Sequence, residues 1–165
     1  MRGYDPAVFE AFFTAIIAAA AALTGLLFVA ISINLDKIVK DEKTLSTRAA
    51  EALATLLLVV VTSAVALIPQ STRLMGLEIL ILALPILGLT VSKQVIQRRQ
   101  RSSDPLYWTI SRALSIGAGT IPCTIAGFSL AFHAGGGFYW LASAGLLGIV
   151  GAVYNAWVLL IEIIR

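Results

Sequence analysis

FEAFFTAIIAAAAALTGLLFVAISI, residues 9–33, contains a single charge, Glu10, and outruns the roughly 20 apolar residues that a helix needs to cross a bilayer core. It reads as a membrane-spanning helix. Asp5-Pro6 stands just before it as a helix start, Asp supplying an acceptor for unpaired amides and Pro suiting the first helical position. Ala18 to Ala22 has the small-residue look of a signal cleavage site. Asp5 and Glu10 are wrong for such a leader, and the apolar run continues to Ile33, so the segment is read as a retained first span.

The remainder of the chain repeats the pattern. Hydrophobic residues make up 59% of the 165 residues and charged ones 13%, against about 25% charged in soluble domains. The mean hydropathy is +0.92. No polar stretch is long enough to enclose a separate core, so residues 1–165 are expected to form one transmembrane domain. The spans fall at about 9–33, 49–68, 74–92, 107–132 and 138–164. The predicted fold is all-α, an integral membrane bundle of five transmembrane helices. Pro69 to Arg73 is a short turn that makes the second and third helices antiparallel neighbours, and Lys93 to Arg101 extends the third helix beyond the bilayer. Tyr107-Trp108 and Phe138-Tyr139-Trp140 read as interfacial aromatic belts.

Charge sets the orientation. Lys37, Lys40, Lys43, Arg48, Lys93, Arg98, Arg99, Arg101, Arg112 and Arg165 fall on one side of five spans, and only Arg2 and Arg73 on the other. The positive-inside rule then places the N-terminus outside and the C-terminus in the cytoplasm, in the cell's inner (plasma) membrane. The net charge of +3 belongs to this topology rather than to nucleic-acid binding. Arg98, Arg99 and Arg101 are candidate contacts for lipid headgroups, at about 1 kcal/mol per basic residue near an anionic surface.

Small residues at helical spacing mark faces where backbones approach closely in lipid. Thr14, Ala18, Ala21, Gly25 and Ser32 form one such stripe on the first helix, with Glu10 above and Asp36 below; Ala144, Gly148, Ala152, Asn155 and then Glu162 form another on the fifth. Both stripes are expected to face protein. Two readings stand: helix packing, or a water-accessible seam or oligomeric pore with carboxylates at its mouths. Glu10, Glu78 and His133 all lie near the outer boundary, where they are candidates for one cation or proton site. Arg112 has two acidic partners in reach, Glu162 and Glu51, and Glu162 and Arg165 are spaced to pair. Pro85 frees the carbonyl of Ile81, and Pro122 that of Ala118, which makes the fourth helix the best internal site.

Catalysis finds no support in the sequence. There is one His, one Cys (Cys123), no phosphate-binding glycine loop and no pair of metal-ligating spacings. No enzyme activity, cofactor or metal is expected, and the single cysteine excludes an internal disulfide.

The segment Ala20-Ala-Ala-Leu-Thr-Gly-Leu-Leu-Phe-Val-Ala-Ile-Ser-Ile-Asn-Leu35 resembles the opening helix of small bacterial polytopic membrane proteins, some described as modulators of a membrane-bound ATP-dependent protease. Through Gly25, Val29-Ala30 and Asp36 it is also distantly similar to the pore-lining helix of Orai calcium channels. The apparent direction is reversed, and Ile33 stands where a filter acid belongs. These resemblances imply either a homo-oligomeric ion or small-solute pathway lined by the first or fourth helix, or a non-transporting scaffold that docks another membrane protein. Lipids, further copies of the chain and another membrane protein are the expected partners.

Overall fold

The computed structural model describes the backbone of residues 2–40, 44–100 and 106–164, and the side chains of residues 3–36, 38, 46–47, 49–92, 95 and 117–157. Within them the chain is helical without strands. A 3-10 turn at Arg2–Tyr4 leads into α1 (Pro6–Ile33), α2 (Leu35–Lys40), α3 (Thr44–Leu67), α4 (Thr72–Gln100), α5 (Leu106–Phe132) and α6 (Gly137–Ile164). Four of these, over Pro6–Ile33, Ala49–Leu67, Thr72–Ser92 and Gly137–Trp157, are long and apolar enough to cross a membrane. The described apolar part of α5 is shorter, Gly117–Phe132.

Local chemistry accounts for the ends of α1. Asp5 is the N-cap, its Oδ1 accepting from the Ala7 amide at 3.1 Å, with Pro6 at the first helical position. At the other end Asn34 closes the helix, its backbone amide donating to Ile31 O at 3.2 Å and its side-chain amide to Ala30 O at 2.9 Å. The charged connection that follows holds a short helix, α2, and α3 begins at Thr44. A helical turn buries Ile38 against α1 and α3 while leaving Asp36 exposed.

The long helices pack in the spatial order α1, α3, α6, α5, α4, and the broadest interfaces join α5 to α6 and α4 to α5. α3 and α6 are central. α1 and α4 lie at the two ends of the series and share no packed interface with each other. The short turn after Leu67 does bring α4 back beside α3, but the two touch sparsely and α4 packs on α5 instead. The cause is a close backbone approach: a Cβ at Gly76 would lie 2.5 Å from the Ala131 amide nitrogen and 2.7 Å from the Gly127 carbonyl oxygen. No residue larger than glycine lets α4 and α5 come so near.

One core cluster draws on all five long helices through Phe13, Leu58, Ile79, Leu130 and Phe138. A second joins α1, α2, α3 and α6 through Ile16, Leu27, Ile38, Leu56 and Ala152. Phe138 is fully buried rather than part of an interfacial belt. It stacks on Phe9 with centroids 5.5 Å apart and lies 6.0 Å from the Phe13 ring, fastening the start of α1 to the start of α6. Tyr139 and Trp140 are exposed, as an aromatic belt requires.

Candidate functional site

The end of the bundle where α1, α4 and α6 begin and α5 finishes is fixed by a polar clasp. His133, at φ +53°, leaves α5 into a turn whose Gly135 and Gly136 have φ of +87° and +76°, values that glycine adopts without steric cost. The Gly136 amide donates to the Tyr4 hydroxyl at 2.8 Å, and Tyr4 lies 3.4 Å from the Ser129 hydroxyl, which itself donates to Ala134 O. His133 Nε2 is 2.9 Å from the Thr72 hydroxyl, with its ring 5.4 Å from that of Tyr4. Tyr4 was not singled out by sequence reasoning. A lone tyrosine four residues into a chain gives no signal until the turn it holds is known.

Glu10, Glu78 and His133 share this end without forming one ligand set. Glu78 Oε2 accepts from Gln70 Nε2 at 2.7 Å, His133 engages Thr72, and Glu10 stays on the outside of α1. Among the described residues no group of three His, Cys, Asp or Glu is placed to hold a metal ion.

The stripe on α1 lies on the outer side of its helix. Glu10, Thr14, Ala18, Ala21, Gly25 and Ser32 are all exposed, on the side of α1 opposite Phe9, Phe13, Ile16, Ala20 and Leu27, which are buried. The stripe does not face the rest of its own chain. Large side chains decide which face turns inward, because each makes many more contacts than an alanine or glycine. The stripe hydroxyls are satisfied along their own helix, Thr14 donating to Glu10 O at 2.9 Å and Ser32 to Phe28 O at 2.8 Å. Gly25 has no atom within 4 Å of where a Cβ would stand, and Asp36 is exposed on α2.

On α6 the corresponding stripe is buried: Ala144, Gly148, Ala152 and Asn155 all face inward. A Cβ at Gly148 would lie 2.6 Å from Val59 Cγ2, and one at Gly119 would lie 2.9 Å from Gly148 Cα, so α3, α5 and α6 meet there in close contact. Along this junction run buried hydroxyls: Thr55 and Thr62 on α3, Thr120 and Thr124 on α5. Thr55, Thr62 and Thr124 donate to carbonyls of their own helices, at 2.8 Å to Glu51, 2.7 Å to Leu58 and 2.8 Å to Thr120. Thr62 is also in hydrogen-bonding reach of the Cys123 thiol. Pro122 is buried in this junction and Ala118 half-buried, while Pro85 on α4 is exposed. Thr55 and Thr62, seven residues apart, were the available signal for this hydroxyl row. The side chains of Glu162, Arg98, Arg99 and Arg112, and residues Arg101 and Arg165, lie outside the described residues, so the headgroup contacts and the pairings of Glu162, Arg165 and Arg112 do too.

No protein-family model matches the chain, and no curated protein or solved structure matches it either. The functional reading therefore rests on the chain's own residues.

Proposed function

We propose that this is an integral membrane protein whose five long helices span the bilayer, and that copies of it assemble into an ion-conducting or small-solute pathway at the boundary between subunits. The N-terminus lies outside and the C-terminus in the cytoplasm of the cell's inner (plasma) membrane. Four long apolar helices support the membrane setting, and the ten-to-two split of basic residues supports the orientation. α5 is helical over 27 residues, about 40 Å at 1.5 Å per residue, long enough for the fifth crossing.

The observation that carries the pathway is the exposure of the polar face of α1. Glu10, Thr14 and Ser32 point away from their own core. Leaving a carboxylate against lipid is unfavourable by about 2.5–3.5 kcal/mol at mid-depth and less near the surface, so this face gains from a polar or protein neighbour. Within a copy, α5 and α6 approach closely where Gly119 meets Gly148. This reading puts the solute route at the exposed α1 face, between copies. Vesicles reconstituted with the protein should pass ions faster than empty vesicles, and Glu10→Ala or Asp36→Ala should reduce the flux several-fold. No flux above empty vesicles removes this reading.

A second reading is a non-transporting scaffold or modulator that docks another membrane protein through the same exposed α1 face. It predicts assembly without flux.

A further inference from the structure

α1 and α4 occupy opposite ends of the helix series, yet they begin at the same end of the bundle and run in the same direction, held by the clasp that joins Tyr4, Thr72, Ser129 and His133. Each presents one unpaired charge near its start. Glu10 on α1 and Arg73 on α4 are exposed and of opposite sign, and neither side chain has a hydrogen-bond or ion-pair partner among the described residues. Each also presents an unused glycine. Gly25 and Gly88 have nothing within 4 Å of an added Cβ, whereas Gly76, Gly119, Gly127, Gly145 and Gly148 all meet another helix.

These four residues are in register. Glu10 and Gly25 are fifteen positions apart, and so are Arg73 and Gly88. Placing Glu10 of one copy beside Arg73 of another, with the helices parallel, therefore brings Gly25 level with Gly88. Between them the same offset sets Thr14, Ala18 and Ala21 against Leu77, Ile81 and Leu84. All six are exposed, small on α1 and large on α4. Large side chains over a track of small ones, flanked by facing glycines, make a close helix contact in lipid, where van der Waals packing rather than water exclusion drives association.

We propose that the partner of the exposed α1 face is α4 of a second copy of this chain, joined head to tail in parallel, with Glu10 paired to Arg73 and Gly25 against Gly88. The interface is heterologous: every copy offers an α1 edge and an α4 edge, so copies add in series, into a ring where the rotation closes and an open row where it does not. The inference rests on the reading that copies assemble in the membrane, and not on the flux.

Cysteine crosslinking of the full chain in membranes tests it, in a Cys123→Ala background. Ala18→Cys together with Ile81→Cys should give, on mild oxidation, a ladder of disulfide-linked multimers, and either substitution alone should give none. A strong dimer band from Ala18→Cys alone would mean α1 meets α1, and no ladder from the pair would mean the two edges do not meet; both overturn the proposal. Both positions are exposed, so the cysteines leave the chain's own packing intact. As a second measurement, Glu10→Arg or Arg73→Glu should lower the ladder yield several-fold and the double exchange should restore it, whereas a ladder indifferent to all three refutes the register. A ladder without flux leaves this interface standing and removes the pathway; flux without a ladder does the reverse.

Discussion

α1 and α6 are both 28 residues long and both carry a stripe of small residues, yet they are used in opposite ways. In the most apolar part of α6 44% of residues are buried, and in that of α1, the more hydrophobic helix, only 17% are. Hydrophobicity therefore does not rank these helices by how deeply they sit in the bundle. Where the surroundings are as apolar as the side chains, an apolar helix gains nothing by leaving them, and position is decided by shape. The α6 stripe is buried because Gly148 meets Val59 on α3 and Gly119 on α5. The α1 stripe is exposed because Phe9 and Phe13 on the other side bind the Phe138 ring.

The largest expected effect probes the aromatic contact that fastens the start of α1 to α6. Phe13→Ala removes a ring that is 1% exposed, and it should cost about 3–5 kcal/mol in thermal or denaturant unfolding followed by helical circular dichroism in detergent. If α1 were bound through its small-residue face instead, the loss would be slight. The glycines sharpen the contrast at smaller scale. Gly76→Ala forces a methyl group onto the backbone of α5, and should cost about 1–3 kcal/mol. Gly25→Ala meets no other helix among the described residues; as a helix-interior Gly-to-Ala change it should leave subunit stability unchanged or raise it by up to about 1 kcal/mol. Equal losses at the two positions would erase the distinction between inward and outward glycines. The smallest expected loss is at the start of α1, where Asp5→Ala should cost about 1 kcal/mol through loss of the 3.1 Å cap to Ala7 and fray the first turn, read as faster amide exchange there.

Much of the architecture is visible in the linear pattern. The long helices, the cap at Asp5 and the stop near Asn34 follow from apolar runs broken by charge, proline and glycine, because these are local rules. Short charged segments are less transparent. In the connection between α1 and α3, the burial of Ile38 makes Leu35–Lys40 a helix, and one apolar residue among charges does not announce that. Asn155 reads in sequence as part of an inward stripe and Pro122 as a kink-prone position, and both are buried. The exposure of Glu10, Thr14, Gly25 and Ser32 was not legible, since a stripe of small residues looks the same whether a neighbour covers it or not.

By itself the sequence determined that this chain is helical, that it holds several long apolar helices and where the first begins, because backbone hydrogen bonding and side-chain polarity act over a few residues. Only the tertiary structure decided which helices are central, that α4 turns from α3 to α5, and that α1 presents its polar face outward. Those outcomes depend on the fit between surfaces distant in the chain, such as Gly76 against Gly127 and Phe9 against Phe138. Neither half of such a pair specifies its partner until the other is in place.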